Sequence, residues 1–270
     1  MQAFPAAPAP AAKAFDAIAP QFDSKFKPWK SVEAQRRSIR RQLVAAFPAG
    51  ARIIEIGGGT GEDALWLADQ GRVVLMTDAS PAMVAVASAK CGEKVETAVA
   101  AAEDFGELAA RLSDEPLFDG AYSVFAGLNC VSDLTVFGRD IARLMRERAP
   151  LMVVMFGTCC LGEMAVECLR GRPRQALRRF RRGDVAARLG GFDFSVRYHR
   201  GRDLERMLSP WFKLESRSGI GIFVPPSAAE PWISSHPRLL KILETLDRGA
   251  SRPFAVLGDH ILYRFVRTGA

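Results

Sequence analysis

Within Arg52–Asp78, RIIEIGGGTGEDALWLADQGRVVLMTD, a short apolar strand, a glycine-rich turn, a helix and a second strand ending in aspartate follow one another without a break. A glycine turn between strand and helix lets a ligand approach the backbone closely and points the first amides of the helix at it. An acidic residue about twenty residues further on, at the tip of the next strand, can accept both hydroxyls of a ribose. Asp78 stands at that separation from Gly57. The segment predicts a nucleoside-bearing ligand at the C-terminal edge of a parallel sheet.

The residues of the turn bear on which ligand. A dinucleotide fingerprint, GxGxxG, needs a third glycine three residues after the second. Here that position is Glu62, and Glu55, Glu62 and Asp63 surround the turn with carboxylates. Phosphates are repelled by such a turn, whereas a cationic ligand is favoured. S-adenosylmethionine carries a sulfonium, an ammonium and a nucleoside but no phosphate. It therefore fits this text better than NAD.

The rest of the chain extends the same rhythm. Ser31 reads as the N-cap of a helix running to about Phe47, with Val32, Ile39, Leu43 and Phe47 at helical spacing and Pro48 as its stop. Ser80 and Pro81 read as N-cap and first residue of a helix to about Lys90. Val95–Ala100, Phe118–Val124 and Leu151–Phe156 read as strands, and Leu134, Phe137, Ile141 and Leu144 mark a helix between the last two. Strands alternating with helices, and apolar almost throughout, imply an α/β fold. The expected form is a doubly wound, mostly parallel sheet of Rossmann-like type. After Gly157 the rhythm breaks. Residues 159–200 are Arg-rich without strand signals and read as an inserted cap, before Phe212–Ser218, a helix around Pro237–Leu246 and His260–Val266 return to the core. The expected divisions are 1–30, a disordered Ala/Pro tract over 1–12 followed by an aromatic arm; 31–158, the ligand-binding core; 159–200, the cap; and 201–270, the C-terminal part of the core.

Four segments, in order, resemble the motifs of class I S-adenosylmethionine-dependent methyltransferases. The similarity is to the small-molecule branch related to the ubiquinone/menaquinone C-methyltransferases. Glu55-Ile56-Gly57-Gly58-Gly59-Thr60-Gly61 is similar to that family's E/DxGxGxG, with Gly58 where cysteine or serine is common. Asp78 matches the acidic residue after the second strand, and Ala101–Phe105 the segment whose acidic residue meets the adenine amino group. Phe118–Val131 matches the segment facing the methionine part of the cofactor and the acceptor, and Phe15–Phe26 resembles the family's N-terminal arm. The resemblance implies a methyltransferase using S-adenosyl-L-methionine. It implies a cofactor site drawn from Phe22, Glu55, Gly57, Gly59, Thr60, Gly61, Asp78, Ala79, Met83, Ala102, Glu103, Asp104, Phe125 and Asn129.

The acceptor is narrowed by what is missing. Ser123-Val124-Phe125-Ala126 stands where exocyclic-amine nucleic-acid methyltransferases resemble one another in N/D-P-P-Y/F. There is no Pro-Cys pair of the cytosine C5 type, and the paired glutamates of protein arginine methyltransferases are absent. A small-molecule or lipid-like acceptor is expected. His199 and Glu163 are the candidates for a general base, though a base is needed only for an acceptor with a firmly held proton. The net charge of +7 is concentrated in Arg170–Arg182, RGRPRQALRRFRR. That run is a solvated basic face, or a contact with an anionic membrane surface or acceptor. Two alternatives stand beside the leading reading: an RNA methyltransferase or binder using that run, and a non-catalytic S-adenosylmethionine-binding partner protein. Five cysteines without CxxC spacing predict a reduced, cytoplasmic protein with no metal site.

Overall fold

The structure is a computed structural model that describes residues 10–125 and 127–269. Helix α1 (Pro10–Phe26) is followed by α2 (Lys30–Ala46), β1 (Arg52–Ile56), α3 (Glu62–Asp69), β2 (Val73–Asp78), α4 (Pro81–Cys91), β3 (Glu96–Val99), α5 (Phe105–Arg111), β4 (Gly120–Ser123), α6 (Thr135–Leu144) and β5 (Pro150–Phe156). Then come α7 (Leu161–Leu169), α8 (Pro173–Ala176), β6 (Asp184–Leu189), β7 (Phe192–Arg197), α9 (Gly201–Leu208), β8 (Phe212–Ile220), α10 (Pro237–Ala250) and β9 (His260–Arg267).

Seven strands form one sheet in the order β3-β2-β1-β4-β5-β9-β8. β1 to β5 run parallel, and β9 lies antiparallel between β5 and β8. Both faces are covered. Ile54, Ile56, Leu151 and Val153 pack with Phe105, Phe137 and Ile141 on one side; Ile53, Val74, Met76 and Tyr122 pack with Leu43, Phe47 and Leu67 on the other. Each fully buried aliphatic or aromatic side chain contributes roughly 1.5–3 kcal/mol. The order reverses between β1 and β4, and this switch point is where an open α/β sheet leaves a crevice beyond its strand tips. Gly57 follows β1 and Gly127 follows β4; a Cβ on Gly57 would stand 3.7 Å from the Gly127 Cα, so the two loops meet at that crevice.

Several expectations change. Residues 10–12 belong to α1, a helix that runs through Pro20, while residues 1–9 of the Ala/Pro tract lie outside the described residues. Ser31 is not a cap. The helix starts at Lys30 after Trp29, with no side-chain cap, and Ser31 is buried with its amide donating to Glu230 Oε1 at 2.9 Å. Residues 159–200 do contain strands: β6 and β7 pair as an antiparallel hairpin around Gly190-Gly191, both at positive φ. The hairpin was hidden by weak strand formers such as Asp184, Ala186, Ala187 and Arg188. The Gly-Gly pair between two six-residue runs was the available signal. Helix α9 also went unmarked in the sequence reading. The hairpin and α1 pack against each other, and α1 lies along α4.

Candidate active site

The turn Gly57–Gly61 leaves β1 with Gly57, Gly59 and Gly61 at φ +69, +57 and +75. A side chain there would be strained. At Gly61 it would also meet Cys91 Sγ at 2.9 Å, so the glycine lets α4 approach α3. At Gly59 a Cβ would find nothing within 4 Å, which leaves the outer side of the turn open to a ligand. Asp78 holds the turn from the neighbouring strand. Its Oδ2 accepts from the Gly59 amide and its Oδ1 from the Ser80 amide, both at 2.8 Å. Burial pushes its carboxyl upward, and the two amides partly offset that. Ser80 caps α4 by accepting from the Met83 amide at 3.1 Å, which fixes Ala79 and buried Met83 beside Asp78. The Ala100 amide donates to the Asp78 carbonyl at 3.0 Å, so the turn Ala102–Asp104 follows directly; Glu103 and Asp104 are exposed in it and Ala102 is buried.

The charges around the turn are not those that the sequence suggests. Asp63 is paired with Arg36 at 2.9 Å and Arg40 at 2.7 Å, and Glu62 lies 3.8 Å from Arg40 and 3.6 Å from Lys90. Helix α2 and Lys90 thus supply the counter-charges. Glu55 differs. It is wholly buried, and neither carboxyl oxygen has a hydrogen-bond partner among the described residues. Burial, reinforced by the Asp63 charge, raises its carboxyl to about 8. Its Oε2 would lie 2.7 Å from a Cβ on Gly58, which explains why glycine stands there.

Helix α1 reaches into the same region. Thr60 Oγ1 donates to Asp23 Oδ1 at 2.6 Å and accepts from Lys90 Nζ at 3.2 Å, and Lys90 is ion-paired with Asp23. Asp16 accepts from the Ser80 hydroxyl at 2.5 Å and the Ala82 amide at 3.0 Å, at the N-terminus of α4. Phe22 packs on Phe26, with ring centroids 4.7 Å apart.

On the acceptor side, Phe125 sits at φ +51 after β4 under the Arg36 guanidinium, 4.7 Å from its centroid. Asn129 is engaged within the protein: its Nδ2 donates to the Arg197 carbonyl at 2.6 Å and its Oδ1 accepts from the Phe156 amide at 3.0 Å. It ties β7 to the end of β5, and both of its polar groups are used. His199 is buried with Nε2 2.8 Å from the Val131 carbonyl, a contact that only an N–H donor can make. Glu163 is bound by Arg178 at 2.7 Å and by Arg179. In this arrangement neither His199 Nε2 nor Glu163 is free to take a proton.

Arg179 is the centre of a buried cluster. Besides Glu163 it donates to Asp259 Oδ1 at 2.6 Å and to the Asp259 carbonyl at 2.7 Å. Cys160, Glu163 and Asp259 converge closely enough to suggest a cation, but the guanidinium already supplies the positive charge there. The Cys160 thiol is pushed up to about 12 by burial and the Asp259 charge, and so is a poor metal ligand. The run Arg170–Arg182 is thus anchored by Arg179, Arg178 and Arg170, whereas Arg172, Arg174, Arg181 and Arg182 are exposed without ion pairs among the described residues. Asp16 and Asp23 belong to the arm Phe15–Phe26, whose resemblance to the family was read from the sequence, although the sequence did not single them out. Lys90, Gln35, Asp259 and His260, which the structure also brings to this region, lie in no spaced motif.

Comparison with known proteins agrees with this geometry. Residues 53–148 match the sequence model of the family described as "Methyltransferase domain". No curated protein sequence matches the chain. Among solved structures, the chain is similar to the [4+2]-cyclase SpnF, at 15% identity over 99% of each chain and a TM-score of 0.59. It is similar to an S-adenosylmethionine-dependent methyltransferase from Listeria monocytogenes, at 15% identity over 84% of this chain and 96% of that one, TM-score 0.55. A structure described as the conversion of a disulfide bond into a thioacetal group during echinomycin biosynthesis is similar at 17% identity over 85% of this chain and 80% of that one, TM-score 0.50. These likenesses establish the fold. Residues 53–148 carry a methyltransferase domain, which with these neighbours indicates S-adenosyl-L-methionine as the cofactor. The open glycine turn and the half-buried Asp78 carboxylate fit that nucleoside. No helix of the described residues is long and apolar enough to cross a membrane.

Proposed function

We propose that the chain methylates a small-molecule or lipid-like acceptor, in the manner of the small-molecule branch that its motifs resemble. The observation that carries the reading is Asp78. It is locked by the Gly59 and Ser80 amides at the tip of β2, beside a turn that is open at Gly59. In this reading Asp78 holds the ribose; Gly57, Gly59, Thr60 and Gly61, with Glu55 behind them, receive the methionine end. Ala79, Met83 and Ala102–Asp104 border the adenine. Phe22 and Phe125 face the transfer point, and Asn129 supports the wall behind it. When bound, the cofactor supplies a methyl group made electrophilic by a sulfonium. What the chain's residues do is exclude water and align the acceptor, which can contribute on the order of 7–11 kcal/mol. The acceptor wall is aromatic, built from Phe125, Phe156 and Tyr198, with Phe156 and Tyr198 5.8 Å apart. That supports an apolar acceptor, as does the small-molecule chemistry named for the echinomycin and cyclase neighbours.

Calorimetry tests the assignment. S-adenosylmethionine and S-adenosylhomocysteine should bind, and Asp78→Ala should weaken both roughly ten- to a hundredfold, as expected for charge-assisted bonds to a half-buried carboxylate. Unchanged affinity in the variant would defeat the role given to Asp78. Tight binding of NAD with none of S-adenosylmethionine would defeat the whole reading.

The exposed Arg172, Arg174, Arg181 and Arg182, beside Leu177 and Phe180 at 53% and 45% exposure, favour an accompanying contact with an anionic lipid surface. Phosphatidylserine vesicles should retain the protein at low salt and neutral vesicles should not. Retention by RNA with equal steepness in salt would move the reading to nucleic acid.

A further inference from the structure

We infer that His260 is the general base of this site, oriented by Gln35 and Asp259, and that the acceptor bears a phenolic or enolic hydroxyl. This rests on the function proposed above and narrows its acceptor class. β9 runs antiparallel to β5, so its first residue lies at the C-terminal edge of the sheet, paired with Phe156. The imidazole stacks on Phe156 at 5.0 Å and meets the edge of Phe125 at 6.0 Å, which places it in the same aromatic wall that faces the acceptor.

The ring is held as an oriented base would be. Nδ1 lies 3.1 Å from Gln35 Oε1, and 3.4 Å from Asp259 Oδ2. Both neighbours are acceptors, so Nδ1 carries the proton and the Nε2 lone pair is left free. Gln35 cannot turn over, because its Nε2 donates to Asp259 Oδ2 at 3.1 Å. Asp259 is fixed by Arg179, and Arg179 by Glu163. Nε2 has no hydrogen-bond partner among the described residues. The charged groups that face the ring are Asp259 from its own strand end, Arg179 from the basic segment and Glu163 from α7; from α2 it meets the neutral Gln35. Burial outweighs the carboxylates and keeps the imidazole below its ordinary value, so it is neutral at pH 7. This is the arrangement of a base whose second nitrogen is held by a third group.

A neutral amine needs no base before transfer. An aliphatic alcohol, with its far higher pKa, lies at the limit of an imidazole's reach. A phenol or enol lies within that reach, and its planar ring or enol suits walls of Phe125, Phe156 and Tyr198. In the step, Nε2 takes the hydroxyl proton as the oxygen forms its bond to the methyl carbon. The methyl–sulfur bond breaks with its electron pair left on sulfur, and the imidazolium then returns the proton to solvent.

Two measurements decide. Long-range proton–nitrogen NMR of the free protein, with His260→Asn to assign the signal, should show His260 neutral at pH 7 with Nδ1 protonated. An Nε2–H tautomer overturns the assignment without any acceptor being known. Turnover to S-adenosylhomocysteine should then be measured with a panel of phenols and thiophenols. At pH 8, His260→Asn should lower phenol turnover by roughly 10²–10⁴-fold and leave thiophenols, already ionised, nearly untouched. Equal loss on both marks a structural role and overturns the proposal, as does a wild-type protein that methylates no phenol while binding the cofactor. Gln35→Leu keeps the imidazole in place and should lower kcat on phenols with KM held. A wild-type protein that fails to bind S-adenosylmethionine in calorimetry refutes the proposed function, which the NMR result does not address.

Discussion

Glu55 is a carboxyl buried at the base of the cofactor turn, and its environment makes a pH-dependent prediction. Its ordinary value of 4.5 is raised to about 8 by burial. Between those values the folded protein holds a proton that the unfolded chain has released, so stability contributed by this group is full at acid pH and falls as pH rises toward 8. Glu55→Gln should therefore stabilise the protein at pH 8 by up to about 5 kcal/mol, with the advantage vanishing near pH 4. Urea denaturation at several pH values measures it, and a pH-independent difference would remove the argument. Gly58 makes a companion case. A methyl group there would stand 2.6 Å from Met76 Cγ and 2.7 Å from Glu55 Oε2. Neither neighbour is free to move in a packed core, so Gly58→Ala should lose about 1–3 kcal/mol, seen as a lowered Tm.

At the scale of elements, the basic segment is held down by one residue. Arg179 is 6% exposed and lies between Glu163 and Asp259. Removing one member of such a buried group leaves uncompensated charge, at a cost of about 3–5 kcal/mol. Arg179→Met should open residues 159–200 to limited proteolysis before the sheet is cut; an unchanged digestion pattern would show that other contacts hold the segment. The parallel strands, their helices and the glycine turn were legible because each follows from local spacing: apolar runs for strands buried on both faces, Ser80-Pro81 for a helix start. The β6–β7 hairpin was not, because its strands are only half-buried and carry little apolar period. Ser31 misled for a similar reason: a good capping residue was taken into the helix when its amide found Glu230, distant in the chain.

At the scale of the molecule, α1 and the hairpin lie together over the tip of the sheet, with Phe15 and Phe194 6.2 Å apart. Asp23, Thr60 and Lys90 fasten one end of α1 to the cofactor turn, and Asp16 fastens its middle to the start of α4. The Asp23–Lys90 pair is partly exposed and worth no more than about 1 kcal/mol. Lys90→Ala should speed amide exchange in residues 16–26 several-fold and leave β1 and β4 unchanged. No change in α1 would show that packing on the hairpin suffices to hold it.

The sequence alone determined the doubly wound sheet, the glycine turn with Asp78 beside it and the class of cofactor. Those features rest on periodicity and short spacings, which the backbone turns directly into geometry. Only the tertiary structure decided how the site is charged. Helix α2 brings Arg36 and Arg40 to neutralise Asp63, while burial raises the Glu55 carboxyl to about 8 and so keeps it neutral at pH 7. The tertiary structure also surrounds His260 with Gln35 and Asp259, which reach the ring only when α2 and the start of β9 meet above the sheet. Charge pairing and proton transfer depend on distances between residues far apart in the chain, and no local pattern records those distances.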